Sequence, residues 1–517
     1  MLLSGVYKSP LITIIRQIIM ISDNNTQIEV LDTLIVGAGI SGIGAAYYFQ
    51  RDCPGKRYAI LESRANLGGT WDLFKYPGIR SDSDLYTFAY EFKPWESNKS
   101  IASAQLILDY LNETADEYGI RQHIRFNTAV VKLEWNSSDS LWCVTTLNQQ
   151  TQQQVTLKAR WIFSATGYYD YQQGFQPQFN DLDEFDGELI HPQHWPENFT
   201  AENKKMLVIG SGATAITLAP ELAKVAEHVT LLQRTPTYMM HLPTGDPIAN
   251  LLKSIFPKQT AHALIRKKNI FFHRSFWRFS TRFPKLAKRL LLRHVASRLP
   301  EGYDVAKHFT PPYNPWDQRL CAVTDGDLFK AIHRGDLDMQ TDHIERFTHD
   351  GVKLKSGKEI KADTIVTATG LNIKLMGGVD IIIDGKPLDF PSTVTYKGAM
   401  LSGVPNFCFA VGYTNASWTL KIGLLCEYFC RVFNHMEVTG YAKCVPEVPT
   451  ENFTTSPLLD FGAGYIQRSL HLMPKKGQAS PWDMSMSYGP DVKFFRKGRI
   501  EDEFLQFTSR AETENAP

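Results

Sequence analysis

Two strand–glycine turn–helix units, and two later strands that close on the same Ala-Thr-Gly tripeptide, predict an α/β fold of two nested Rossmann-like dinucleotide-binding domains with a helical insert. The third observation is length: 517 residues exceed what one hydrophobic core serves, so two or three domains sharing a cleft are expected.

The first unit begins with an apolar strand over 31–36. It runs into Gly37-Ala38-Gly39-Ile40-Ser41-Gly42 and a helix to about residue 50. Gly37 permits the tight turn, Gly39 lets backbone approach a pyrophosphate, and Gly42 lets the helix close on the strand with its first amides facing the phosphates. A second strand over 57–61 ends in Glu62, the slot from which a carboxylate bonds the ribose hydroxyls of an adenosine. The unit recurs as a strand over 206–209, closing on Ile209, followed by Gly210-Ser211-Gly212-Ala213-Thr214-Ala215 and a strand over 228–232. Here the acidic slot holds Gln233-Arg234-Thr235. A carboxylate repels a ribose 2′-phosphate and a guanidinium binds it in a fork, so the second nucleotide is expected to be NADPH.

The tripeptides at 165–167 and 368–370 mark the crossings between the two domains, and alternating residues over 130–135 and 141–146 predict an antiparallel pair. The first domain is therefore split, over 31–170 and 371–440. The NADPH domain covers 171–370 with a basic helical insert at about 245–310, and residues 441–517 form a C-terminal segment. Residues 1–30 are expected to be a flexible extension, too short and too charged to span a bilayer, with Met20 an alternative start.

With 55 basic against 54 acidic residues, net charge indicates no nucleic-acid partner. Seven scattered cysteines without metal-ligand spacing point to a reduced, cytoplasmic setting, and Cys426 and Cys430 read as one face of a packed helix. Charge is uneven within the chain. Residues 251–310 hold fourteen Lys or Arg against Glu301 and Asp304 alone, a local excess of twelve, interleaved with aromatics. Two readings of the insert stand side by side: a solvated basic face, or a roof over the substrate site that also touches an anionic membrane surface.

Three segments carry chemistry. Phe185-Asp186-Gly187, His191 and Trp195-Pro196 match the pattern FxGxxxHxxxWP at every fixed position. Gly68-Gly69-Thr70-Trp71-Asp72-Leu73 is followed by Tyr76-Pro77-Gly78-Ile79-Arg80-Ser81-Asp82, and Tyr313-Asn314-Pro315-Trp316-Asp317-Gln318-Arg319 comes later. On these the chain resembles the class B flavoprotein monooxygenases of the Baeyer-Villiger type. Segments 412–421 and 465–468 look like the subgroup that holds the mycobacterial ethionamide-activating monooxygenase. The resemblance covers nearly all of 32–488.

The resemblance implies FAD in the first domain, contacted by Gly37, Gly39, Ser41, Gly42, Glu62, Gly69, Thr70, Trp71, Asp72, Leu73, Arg80, Ser81, Asp82 and Val130. NADPH is expected against Ile209, Gly210, Ser211, Gly212, Ala213, Thr214, Ala215, Gln233 and Arg234. It further implies that ketones become esters or lactones through a C4a-peroxyflavin, with dioxygen and a lipophilic ketone or thioether as substrates. Arg319 is the expected catalytic cation, Asp82 its positioning carboxylate and His191 a third catalytic residue. Gln318 departs from the family, where several members carry Lys, so NADPH preference rests more on Arg234. The rivals are a sulfur- or nitrogen-oxygenating monooxygenase, a disulfide reductase, and an oxidase without oxygenation. The second needs a cysteine pair near the flavin, and 68–82 has none.

Overall fold

A computed structural model describes residues 28–318, 320–451, 453–459, 462 and 464–509. The expected extension up to residue 27, Met20 with it, lies outside the described residues, and so does Arg319. The chain opens with β1 (Val30–Val36), α1 (Ile40–Asp52), β2 (Tyr58–Leu61), the single turn α2 (Thr70–Leu73), α3 (Leu85–Phe88) and α4 (Ala104–Glu117). Strands β3 (Ile124–Arg125), β4 (Thr128–Asn136), β5 (Leu141–Asn148) and β6 (Gln154–Ser164) follow. β6, β1, β2 and β3 run parallel, and β4 and β5 add an antiparallel extension, paired as their alternating residues predict. The side chains explain the difference: β2 is buried throughout, as a strand covered on both faces must be, whereas β5 alternates.

Next come β7 (Tyr169–Gly174), β8 (Glu188–Ile190), β9 (Lys205–Ile209), α5 (Ala213–Leu222), β10 (His228–Gln233) and β11 (Met239–Leu242). The insert consists of α6 (Pro247–Ile255), α7 (Lys258–Arg282) and α8 (Pro284–Ala296), after which the chain returns through β12 (Cys321–Thr324), α9 (Asp327–Arg334) and β13 (Leu337–Thr341). A three-stranded meander covers 344–361 before β14 (Thr364–Thr367) and β15 (Leu371–Ile373). The second sheet is wholly parallel, in the order β13-β10-β9-β14-β8. β15 pairs with β7 as a two-stranded link between the sheets. The strands Asp380–Ile383 and Phe407–Phe409 then rejoin the first sheet, on β4 and β6.

The last long helix, α10 (Trp418–Thr439), packs on α1 and buries Cys426 and Cys430 on one face. All seven cysteines are free thiols. No helix among the described residues is long and apolar enough to cross a membrane.

The insert is pinned to the first domain rather than merely solvated. His262, Arg266, Asn269 and His273 recur at helical spacing along α7 and meet the segment 84–90. His262 Nε2 donates to Tyr90 O at 3.2 Å, Arg266 Nη1 donates to the carbonyls of Tyr86, Thr87 and Ala89, and Asn269 donates to Asp84 Oδ1 at 2.6 Å. Arg266, one of the fourteen cations counted in the sequence, is thus buried.

Candidate active site

Each glycine turn is built on the tripeptide of its own domain. Gly37 has φ +102°, and a Cβ there would lie 2.8 Å from Ala165 O; at Gly210, φ +149°, it would overlap Ala368 O. The two Ala-Thr-Gly segments therefore act as floors on which the turns rest, and any side chain at the first glycine would lift the turn off. Gly42 is confined by Gly37 O, while in the second turn the equivalent Ala215 is accommodated. Gly39 and Gly212 differ from these. Among the described residues Gly212 has open space where a Cβ would be and Gly39 faces only Gly69, and both begin their helices without a side-chain cap. Uncapped amides beside an open glycine form a cradle for a pyrophosphate, so both turns fit a dinucleotide.

Glu62 closes the first cradle. Its carboxylate accepts from Ala38 N at 2.7 Å and Arg64 N at 2.9 Å, and burial holds its pKa above the usual carboxylate value. Asp72 is buried and paired with Arg64 at 2.7 Å, Thr70 shares a 3.1 Å hydrogen bond with Tyr171, and Trp71 stands edge-on to Phe88. Ser41 Oγ accepts from Trp418 Nε1 at 3.0 Å, which fixes the start of α10 at the first turn. Val130 lies on β4 where a bulge begins, packed on the hydrophobic core beneath the sheet.

The segment after this cradle leaves its own domain. Leu73, Phe74 and Tyr76 pack into the core of the second domain, and a Cβ on Gly78 would strike Glu221 on α5. Arg80 Nη1 pairs with Asp327 Oδ2 at 2.7 Å, while its Nη2 is buried with no partner among the described residues. Burial raises the pKa of Asp327, opposed by the Arg80 guanidinium. Ser81 is spent locally, donating to Ser83 O at 2.8 Å, and Asp82 is exposed on the following turn.

In the second cradle Gln233 faces inward, donating to His308 O and Thr341 Oγ1, so it props the strand ends. Arg234 is exposed beyond it. The backbone on either side of Arg319 is tied to this domain: Tyr238 Oη donates to Tyr313 O at 2.6 Å, and Cys321 Sγ donates to Ser211 O in the glycine turn at 3.7 Å. His191 is placed elsewhere. Its Nε2 donates to Gly370 O at 3.2 Å, its Nδ1 accepts from Gln193 N at 3.2 Å, and its ring lies where a Cβ on Gly174 would sit. Burial lowers its pKa. Both ring nitrogens of His191, expected to be catalytic, are thus engaged by backbone groups at the link between the sheets. Gly187 beneath Phe185 and Trp195 against Phe199 complete the same joint.

The sequence gives no sign of two further participants. Asp327 is 247 residues from Arg80, and Trp418 reaches Ser41 across 377 positions, so neither contact has a local pattern.

Residues 86–293 match a family model described as flavin-binding monooxygenase-like, and 35–96 match an NAD(P)-binding Rossmann-like domain. The FAD-containing monooxygenase EthA of Mycobacterium tuberculosis is 47% identical over 483 residues, covering 93% of this chain and 98% of the relative. The chain belongs to the FAD-containing monooxygenases. A second member of that family, the probable FAD-binding monooxygenase AlmA of Acinetobacter baylyi, is 45% identical over 485 residues, covering 93% and 97%. At the level of fold the monooxygenase is similar to an oxidized steroid monooxygenase bound to NADP, with TM-score 0.72 at 20% identity over 93% of this chain and 100% of that one. The expected enzyme class, the α/β two-nucleotide fold and the cofactors FAD and NADPH stand. As a monooxygenase it consumes dioxygen and an organic substrate.

Proposed function

We propose that this monooxygenase converts lipophilic ketones to esters or lactones, with thioether S-oxygenation as a side reaction. The observation that carries the reading is the joint between the domains. Leu73, Phe74 and Tyr76 of the first domain pack into the core of the second, Arg80 pairs there with Asp327, and His191 of the Phe185–Pro196 pattern bonds to Gly370 O at the crossing, which supports a shared site between the cradles. When bound, NADPH supplies hydride and FAD the activation of dioxygen.

The chain's own residues supply position and charge. Glu62 and Asp72 hold the first cradle, Arg80 ties it to the second domain, and His191 sets the angle of the crossing. Arg319 contributes a cation that stays protonated at any working pH and favours negative charge on oxygen in the transition state, a contribution of about 3 kcal/mol in a site shielded from water. Asp82 holds Arg319. A cavity of about 100 Å³ between α7, the start of α10 and the C-terminal segment, lined by Thr87, His273, Trp277, Asn415, Leu420 and Tyr488, is the proposed seat of the substrate's reacting end.

The test is a mass-spectrometric product screen over linear, cyclic and aryl ketones and thioethers. We expect Arg319→Ala to lose at least about a hundredfold in ester formation, as removal of a transition-state donor does, while NADPH still bleaches the flavin. Ester formation at the wild-type rate by the variant would sink the reading.

The substrate class is supported by the surface of the insert. Among the described residues, ten of the eighteen exposed large hydrophobic residues lie between Ile248 and Leu290, Phe271 and Phe272 among them at 66% and 56% exposure. Apolar side chains among cations suit an anionic lipid surface, and a cytoplasmic enzyme docked there would draw its substrates from the bilayer. Co-sedimentation with phosphatidylglycerol vesicles at low salt, weakened at high salt and lost in Phe271→Ser/Phe272→Ser, is the expected result; no binding at low salt discards this part.

A further inference from the structure

Arg468 lies in a short helix, Gly464–Ser469, from the C-terminal segment. Its guanidinium stacks on Phe175, Cζ 3.4 Å from the ring centroid, with Nη2 3.9 Å from where a Cβ on Gly370 would be. Phe175 N donates to Gly370 O at 3.0 Å, so this platform is the chain just beyond β14. β14 and β10 flank β9 on either side in a parallel sheet, and their ends open on the same edge about 10 Å apart. Arg234 leaves the end of β10. Two arginine side chains span that gap easily.

Arg468 is held below its ordinary pKa by burial first and by the charge of Arg234 second. Among the described residues neither guanidinium has a carboxylate partner, and like charges brought together without one raise the energy of the fold unless an anion joins them. A second contact fixes the helix at this spot: Gly462 N donates to Asp317 O at 3.1 Å, and its Cβ position lies 3.8 Å from Gln318 Cγ. Gln318 is uncharged, and Arg468 brings a cation to that side of the crevice.

We propose that Arg468 is a second ligand of the NADPH 2′-phosphate, clamping it opposite Arg234, so that the C-terminal segment senses the bound nucleotide. This rests on the assignment of the second cradle to NADPH. The arrangement binds a dianion between two guanidinium forks, one from the sheet edge and one from a helix more than 230 residues later.

Calorimetric titration of the FAD-loaded full chain with 2′,5′-ADP and with 5′-ADP tests it without turnover. Arg468→Gln, which keeps a planar group over Phe175, is expected to weaken 2′,5′-ADP about tenfold and 5′-ADP less than twofold, as the loss of one charge-assisted pair does. Arg468→Lys should retain most of the affinity. Equal weakening of both ligands, which marks a structural role, or no weakening of either overturns the proposal; a thermal melt shows whether the variant is folded. Arg234→Gln runs beside it. If Arg234→Gln also leaves the preference for 2′,5′-ADP unchanged, the NADPH assignment of the cradle fails, and not the role of Arg468 alone.

Discussion

Gly210 and Gly212 stand two positions apart and answer to different constraints. Gly210 is held by protein: its φ is +149° and a side chain would press into the backbone carbonyl of Ala368. Gly212 meets no such obstacle among the described residues: beyond its own neighbours in the chain, none of their atoms lies within 4 Å of its Cβ position. Gly210→Ala is therefore expected to cost about 3 kcal/mol of stability, from backbone strain together with overpacking. Gly212→Ala should melt within about 1 kcal/mol of wild type yet bind NADP far more weakly, because the methyl occupies the path of the pyrophosphate. Melting curves with and without NADP separate the two; a Gly212→Ala variant that binds normally would remove that cradle from the site.

At the scale of the element, α7 shows how a basic helix becomes part of a core. His262, Arg266 and Asn269 are buried on one face, each bonded to the segment 84–90. Burial, assisted by the Arg266 charge, holds His262 at about 4 against an ordinary value of 6.5. The sign follows from which state takes the proton. Above pH 6.5 neither does and docking is at full strength; as pH falls towards 4 the unfolded chain binds a proton that the folded one refuses, so stability drops. The loss is about 2 kcal/mol at pH 5. His262→Gln, which can still donate to Tyr90 O, should abolish that pH-dependent part; limited proteolysis of the insert between pH 5 and pH 7.5 is the measurement, and unchanged acid sensitivity in the variant would refute it.

For the whole molecule the governing question is what couples two domains that each hold one nucleotide. The segment 73–80 crosses from one to the other, and Arg80–Asp327 is its end point, with side-chain exposures of 13% and 18%. Arg80→Ala leaves a largely buried carboxylate unpaired and is expected to cost about 2 kcal/mol, below the full price of a wholly buried pair. A double-mutant cycle with Asp327→Asn should return a coupling of at least about 1 kcal/mol. Additive effects would mean that the contact does not couple the domains.

Sequence alone determined what is encoded by local spacing. The glycine turns, Glu62, the antiparallel pair β4 and β5 and the helical face of Cys426 and Cys430 are each fixed by a few neighbouring residues, whose backbone angles and side-chain periods admit one local structure. Tertiary structure alone decided the roles that depend on who meets whom. It set His191 against Gly370 at the crossing, joined Arg80 to Asp327, buried Arg266 in a stretch whose charge count left two readings open, and stacked Arg468 on Phe175 beside Gly370. Such pairings join positions hundreds of residues apart, and a chain fixes them only when its layers close, because charge and shape at one position carry no address for the partner.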